Sequence, residues 1–141
     1  MNGVLDASVG ASWLLEDAGA GQAYADAVMQ ALERPGVVAH VPVIFGLELA
    51  SVMLKAEVRG TLTAERTARF LQFLSIMPIE SDSRPALSAL RETLPLARRY
   101  GLSSYDASYL ELALRLSLPL ATLDTDLRRA ARKAGVQVFK P

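Results

Sequence analysis

Short apolar segments alternate with longer amphipathic ones along the chain, and this alternation limits the fold more than any other feature of the sequence. The apolar segments predict strands at residues 4–5, 37–41, 76–79, 119–123 and 136–139, with helices between them. Strands that alternate with helices through short turns are typical of a parallel sheet covered by helices. The sequence therefore predicts an α/β three-layer sandwich with a central, mostly parallel sheet of about five strands.

Proline and glycine mark where the predicted helices begin and end. We expect helices after Asp6, at residues 22–34 and 42–59, from residue 63, and at residues 84–100, 103–116 and 125–134. Glycines are expected to end four of these helices, at residues 19–21, 60, 101 and 135. Pro78 predicts that the third strand lies at an edge of the sheet or ends there, and Pro95 predicts a kink or a break in the fifth helix.

The composition limits both the size of the folded unit and its chemistry. At 141 residues the chain is long enough for one hydrophobic core, so we expect residues 1–141 to form a single domain. Cysteine is absent, which excludes disulfides, thiolate zinc sites and cysteine nucleophiles. A single histidine, His40, excludes a two-histidine acid–base pair within one chain. We expect His40 to be structural, with contact to a phosphate or a metal as the alternative.

Charge and hydropathy indicate how the chain meets its partners. The 15 basic and 15 acidic residues balance, so any contact with nucleic acid must be local. Basic residues form two clusters, Arg98-Arg99 and Arg128, Arg129, Arg132 and Lys133. Each cluster either holds a phosphate backbone or is a solvated helix face. Hydrophobic residues make up 51% of the chain and the mean hydropathy is +0.23. This excess predicts that apolar surface is buried against another chain, most simply in a homodimer.

The first residues and the spacing of charges bear on location. No basic region precedes Asp6, which itself interrupts the apolar start, so we expect no signal peptide. Charges such as Glu48, Glu111 and Arg115 interrupt every apolar stretch that could cross a bilayer. We therefore expect a cytoplasmic protein that does not enter the membrane.

Acidic residues stand where predicted strands give way to helices. Asp6 follows the first strand, Asp106 lies in the first turn of a helix, and Asp124 and Asp126 follow the fourth strand. Each has a structural interpretation, as an N-cap or as a charge that complements the helix dipole. The carboxyl ends of parallel strands meet at one edge of a sheet, however, so these carboxylates would converge there. Such a cluster takes up protons or binds a hard cation such as Mg²⁺, which suggests metal-assisted phosphodiester hydrolysis.

Glu48 differs from the other acids because it lies in the middle of a mostly apolar helix. It belongs to a solvated stripe with Ser51 and Lys55, which follow at i+3 and i+7, or it points at a functional site. The spacing leaves both interpretations open.

Four strings of residues, in order along nearly the whole chain, resemble the PIN domain and in particular its small VapC-like members, which act as toxins in toxin–antitoxin pairs. The strings are Val4-Leu5-Asp6-Ala7-Ser8, then Val41-Pro42 with Glu48-Leu49-Ala50, then Tyr105-Asp106-Ala107-Ser108-Tyr109-Leu110, and Thr122-Leu123-Asp124 leading to Ala134-Gly135-Val136. No single string is specific, but their order and spacing are. The resemblance implies a PIN-like sandwich and a metal-dependent ribonuclease that cuts RNA with Mg²⁺ or Mn²⁺, usually beside an antitoxin protein.

The resemblance also implies which residues form the site. Asp6, Glu48, Asp106 and Asp124 would be the catalytic and metal-binding acids, with Ser8 and Thr122 beside them. Asp126 is an extra acid that would assist Asp124 or replace it. Ser51 stands where many relatives carry an asparagine three residues after the glutamate, which affects how Glu48 would be positioned. Trp13, in the first helix, is a candidate anchor for a partner protein, with a core position as the alternative.

Other functional classes fit the sequence less well. A phosphoaspartyl phosphatase would carry Asp-x-Asp after the first strand, where this chain has Asp6 and Ser8. A nucleotide-binding module would carry a glycine-rich phosphate loop, and the sequence has no G-x-x-x-x-G-K-[ST]. Two alternatives stay open: a catalytically silent PIN-like binding protein, and a PIN nuclease outside any toxin–antitoxin pair.

Overall fold

The computed structural model describes residues 2–16 and 19–141, so Met1, Asp17 and Ala18 lie outside it. Within this part of the chain the elements alternate as the sequence predicts. In order they are β1 (Gly3–Leu5), α1 (Ala7–Leu15), α2 (Ala20–Leu32), β2 (Ala39–Val41), α3 (Ile44–Val58), α4 (Ala64–Ile76), β3 (Ile79–Ser81), α5 (Ala86–Tyr100), α6 (Ser104–Leu116), β4 (Leu120–Ala121) and α7 (Thr125–Lys133).

The strands form one parallel sheet in the order β3-β2-β1-β4. The predicted α/β sandwich with a parallel sheet is therefore confirmed. The predicted fifth strand, at residues 136–139, is reduced to a single bridge between Val138 and Leu120, so the described sheet has four strands. β3 is an edge strand and Pro78 directly precedes it, as predicted from the missing N–H of proline.

The third strand starts later than predicted. Ile76 is the last residue of α4 instead of the first of a strand, and its side chain is largely exposed. The chain becomes extended only at Met77, because the residue before a proline is biased away from the helical region. The strand that follows is Ile79–Ser81.

Most predicted helix ends are confirmed, with two exceptions. Gly101 ends α5 in the left-handed region, with φ of 64°, where a side chain would be strained. The first helix ends at Leu15 instead of at the Gly19–Gly21 segment, and Gly21 lies inside α2. α5 continues through Pro95, so of the predicted kink or break the break is wrong.

The core lies between the sheet and the helices on it. Val4, Leu5 and Leu120 of the sheet are fully buried, and α6 packs directly on β1 and β4. Trp13 is also part of this core. Its Nε1 donates a hydrogen bond to the Ala25 carbonyl oxygen at 2.8 Å. The core interpretation of Trp13 is therefore correct, and it is not an exposed anchor for a partner.

No helix in the described ranges combines the length and the hydropathy that a bilayer crossing requires.

Candidate functional site

Asp6 lies at the carboxyl edge of the sheet, directly after the central strand β1. Its backbone N–H donates to the Ala121 carbonyl at 2.9 Å, which joins this edge to β4. Asp6 occupies the N-cap position of α1, but its side chain makes no capping hydrogen bond. The carboxylate instead accepts hydrogen bonds from the Ser8 and Thr122 hydroxyls, and the residue is 4% exposed. The helix-cap interpretation of the Asp6 side chain is therefore wrong.

Both hydroxyls bind the same carboxylate oxygen. Ser8 Oγ donates to Asp6 Oδ2 at 2.5 Å and Thr122 Oγ1 donates to it at 2.6 Å. Each hydroxyl in turn accepts a backbone N–H, that of Leu123 for Ser8 and that of Asp124 for Thr122, both at 3.0 Å. Because the main chain occupies one side of each hydroxyl, its proton is directed at Asp6. The network holds Asp6 as an acceptor and fixes its orientation.

Glu48 reaches the same region from α3. Its Oε1 accepts a hydrogen bond from the hydroxyl of Tyr109 at 2.7 Å, and Tyr109 is fully buried in α6. Glu48 also shares a cavity wall with Ser51 and Lys55. The two interpretations of Glu48 therefore coincide, because the polar stripe of α3 is itself a wall of the acidic cavity.

Asp106 and Asp124 complete the acidic lining. The cavity has a volume of about 570 Å³, and Asp6, Glu48, Asp106 and Asp124 all line it. Asp106 lies in the first turn of α6, where the Ser103 hydroxyl caps the helix by accepting the Asp106 N–H at 3.1 Å. Asp124 caps α7, since its Oδ1 accepts the Leu127 N–H at 2.7 Å. Asp106 and Asp124 therefore each have a structural position at the start of a helix and also line the cavity.

Burial and mutual repulsion raise the pKa values of three of the four cavity carboxylates. Burial is the main cause that raises the pKa of Asp6, and the nearby Asp124 raises it further, against the lowering effect of the two hydroxyls. Burial, followed by the charges of Asp124 and Asp6, raises the pKa of Asp106 to about 6. Burial also raises the pKa of Glu48, while the Tyr109 hydrogen bond lowers it. A positive charge placed in the cavity would relieve all three.

Asp126 stands apart from this group. Its side chain is 74% exposed and pairs with Arg129 one turn further along α7, at 3.3 Å. It lines a different surface pocket, together with Arg99 and Lys133. Of the two acids after the fourth strand, Asp124 is the one at the acidic cavity.

The donor set suits a hard cation. Within residues 2–16 and 19–141, no three acidic, histidine or cysteine side chains are drawn together as a ready-made metal cage. Mg²⁺, however, is commonly held by one or two carboxylates and several waters, so it does not need such a cage. A cavity lined by four carboxylates, three of them with raised pKa values, meets that requirement, and carboxylate oxygens favour Mg²⁺ or Mn²⁺ over Zn²⁺.

Tyr109 was missed as a site residue by reasoning from the sequence. Tyr109 follows Asp106 by three residues, so both lie on one face of α6. This spacing is the only feature of the sequence that places Tyr109 near the site. The contact with Glu48, 61 residues away, is visible only in the fold. His40 lies on β2, with Nδ1 4.0 Å from the Glu80 carboxylate on β3, and does not line the acidic cavity, in agreement with a structural role.

Two of three comparisons with known proteins found matches, and these two agree on the fold. The family model of the PIN domain matches residues 3–133. A comparison with curated protein sequences found no match. Among solved structures, the chain is similar to PAE2754 from Pyrobaculum aerophilum, with 24% identity over 92% of this chain and 87% of the other, and a TM-score of 0.66.

Two further solved structures share the fold. FitAcB from Neisseria gonorrhoeae is 21% identical over 100% of this chain and 98% of the other, with a TM-score of 0.61. A toxin–antitoxin complex from Klebsiella pneumoniae is 21% identical over 89% of both chains, with a TM-score of 0.59. At these identities the likeness concerns the fold alone. The family match spans all four cavity acids, and the chain therefore belongs to the PIN domain family.

Proposed function

We propose that this chain, acting as one PIN domain over residues 1–141, is an endoribonuclease that hydrolyses RNA phosphodiester bonds with Mg²⁺ or Mn²⁺. The observation that supports this most directly is the shared cavity lined by Asp6, Glu48, Asp106 and Asp124. Three of these carboxylates have raised pKa values, so the cavity is prepared for a cation. A cavity of about 570 Å³ also has room for a phosphate group beside the acids.

In this proposal Asp6 and Asp106 are the main metal ligands, and Glu48 and Asp124 complete the shell directly or through water. A bound divalent ion supplies a water of lowered pKa and neutralises charge that develops on the phosphate oxygens. The protein holds the ligands in place, because hydroxyls fix Asp6 and Tyr109 fixes Glu48. Glu48 or Asp124 takes the proton of the attacking water as general base.

The test separates metal binding from cleavage. The purified protein is incubated with RNA under increasing Mn²⁺ or Mg²⁺, and its melting temperature is measured in parallel. Metal-dependent cleavage that EDTA abolishes supports the proposal. A protein that gains thermal stability with metal, yet leaves RNA intact, would instead be the silent PIN-like binding protein.

We further propose that the chain is the toxin of a toxin–antitoxin pair. The support is the family membership together with the structural likeness to a chain from a Klebsiella pneumoniae toxin–antitoxin complex. An open reading frame for a small DNA-binding protein beside the gene, and growth arrest that co-expression of that protein relieves, are the expected observations. Efficient RNA cleavage without growth arrest would leave a PIN nuclease outside any such pair.

A homodimer is the third part of the proposal. The outer face of α3 carries a row of exposed apolar side chains, the α3 stripe, formed by Val43, Leu47, Leu54 and Val58. Val58 is 87% exposed, and a contiguous row of exposed apolar side chains is typical of a surface that binds another protein chain. Light scattering at micromolar concentration should show a dimer that Leu54→Lys converts to a monomer. Leu71→Lys, at an exposed leucine on α4, is the matched control and should stay dimeric.

A further inference from the structure

A groove lined by basic side chains lies along α7, the helix whose N-cap, Asp124, lines the acidic cavity. Asp124, Arg128 and Arg132 follow one another at four-residue intervals, so they lie one above the other along one face of the helix. Asp124 lines the acidic cavity, whereas Arg128 and Arg132 line a separate groove of about 770 Å³ together with Lys140. One helix therefore carries an acid at the proposed reaction site and two cations at successive turns beyond it.

Arg128 is held in a fixed position at the start of this groove. Its Nε donates a hydrogen bond to the Thr122 carbonyl oxygen at 2.7 Å. Its guanidinium carbon lies 4.7 Å from the centre of the Tyr24 ring, and the Tyr24 hydroxyl donates to the Phe139 carbonyl at 2.9 Å. The ring and the carbonyl fix the guanidinium plane, so little side-chain entropy is lost when its remaining N–H groups bind an anion.

The groove cations lack acidic partners in the part of the chain that the structure describes. No carboxylate lies within ion-pair distance of Arg128, Arg132 or Lys140 in residues 2–16 and 19–141. Arg129, on the same helix, differs because it pairs with Asp126 outside this groove. The basic cluster of residues 128–133 is thus divided: Arg128 and Arg132 line the groove, whereas Arg129 and Lys133 line a different pocket.

We propose that this groove binds the phosphodiester backbone of the single-stranded RNA that flanks the phosphate in the acidic cavity. The inference rests on the proposed ribonuclease function. Thr122 joins the two regions, since its hydroxyl holds Asp6 and its carbonyl holds Arg128. Arg128 and Arg132 are four residues apart, about 6 Å along the helix axis, which suits successive phosphates of an extended strand. With a net charge of zero overall, a local cluster of this kind is what can guide RNA to the acids.

The experiment measures RNA binding without cleavage. Fluorescein-labelled U12 RNA is titrated with the protein in EDTA, and anisotropy is recorded at several salt concentrations. Since each contact with a single-strand phosphate contributes about 0.7 to the salt slope, Arg132→Gln should weaken binding about five-fold at 0.1 M salt and lower the slope by about 0.7. Arg128→Gln should do at least as much, and Arg129→Gln is the matched control that should bind as the wild type does. Arg132 is exposed, so we expect Arg132→Gln to leave the fold of the groove intact.

The outcomes distinguish this inference from the proposed function. If Arg132→Gln and Arg128→Gln bind U12 like the control, or if Arg129→Gln loses as much as they do, the groove assignment is wrong even if the wild type cleaves RNA. If binding depends on the groove but no metal supports cleavage, the groove stands and the ribonuclease proposal fails. Polyglutamate that binds the wild type as tightly as U12, and loses as much in Arg132→Gln, would overturn the RNA assignment in favour of an acidic peptide.

Discussion

Replacement of Thr122 by valine tests how the fold holds Asp6 ready for a cation. Valine keeps the shape of threonine but removes the hydroxyl that donates to Asp6 Oδ2 at 2.6 Å and accepts the Asp124 N–H at 3.0 Å. A hydrogen bond to a charged acceptor contributes about 2 kcal/mol, and an N–H left without its acceptor costs about 1 kcal/mol. Both Thr122 and Asp6 are buried, so solvent does not replace the lost bonds. We expect Thr122→Val to lower the free energy of unfolding by about 3 kcal/mol at pH values above the folded-state pKa of Asp6.

The loss should depend on pH. The pKa of Asp6 is raised above 3.8 in the folded protein, mainly by burial, and the Thr122 hydrogen bond opposes that rise. Above the folded pKa, Asp6 is charged and the hydroxyl stabilises it fully. As the pH falls through this pKa toward 3.8, Asp6 takes up a proton, and the missing bond is then a neutral one worth about 1 kcal/mol. The destabilisation should therefore shrink as the pH falls.

Urea denaturation followed by circular dichroism measures this directly, at several values between about pH 8 and pH 4. Thr122→Ser is the control, because serine keeps the hydroxyl and loses only a buried methyl group, a loss that should not change with pH. A valine penalty that stays constant across the range, or one equal to that of serine, would refute the view that the hydroxyl serves the Asp6 carboxylate. The valine variant should also cleave RNA more slowly than the serine variant at equal folded fraction.

Three further predictions concern Asp106, the choice between Asp124 and Asp126, and Tyr109. Asp106→Asn should abolish metal-dependent cleavage and raise the melting temperature at pH 8. The folded-state pKa of Asp106 is about 6, so above that pH the charged carboxylate destabilises the fold, and asparagine removes this charge. The gain in melting temperature should disappear as the pH falls below about 6, and an equal gain at all pH values would contradict this explanation. Asp126→Asn should slow cleavage less than Asp124→Asn, because the Asp126 side chain is 74% exposed and outside the cavity; the reverse order in a cleavage assay would show that the fourth acid is misassigned. Tyr109→Phe should raise the pKa of Glu48 and shift the acid limb of the pH–rate profile upward, with circular dichroism as the check on folding and an unchanged profile as the contrary result.

The alternation of strands and helices was predictable because it is a local property of the sequence. Where the prediction was wrong, a neighbour in space decided the outcome. Residues 136–139 read as a strand, yet they pair with the two-residue strand Leu120–Ala121 and form only one bridge. Pro95 predicted a kink or a break in the fifth helix, and α5, which packs along α6, runs through it unbroken. The sequence left open whether Trp13 is an exposed anchor or a core residue. The packing of α1 on α2 places it in the core, with its N–H on the Ala25 carbonyl.

The candidate site was predictable to a similar extent. Asp6 and Asp124 follow from the rule that parallel strands end at one edge, and the structure places both at that edge. The choice between Asp124 and Asp126 needed the orientation of the first turn of α7. The Tyr109–Glu48 pair and the division of the α7 arginines depend on contacts between distant parts of the chain, which no local pattern encodes.

The bond between Thr122 and Asp6 joins residues that are 116 positions apart. During translation Thr122, Asp124 and α7 leave the ribosome more than a hundred residues after Asp6. A nascent chain therefore has no oriented Asp6 and no complete acidic cavity until Asp124 has been made. Under the ribonuclease proposal, this order of synthesis delays any activity toward RNA until that point.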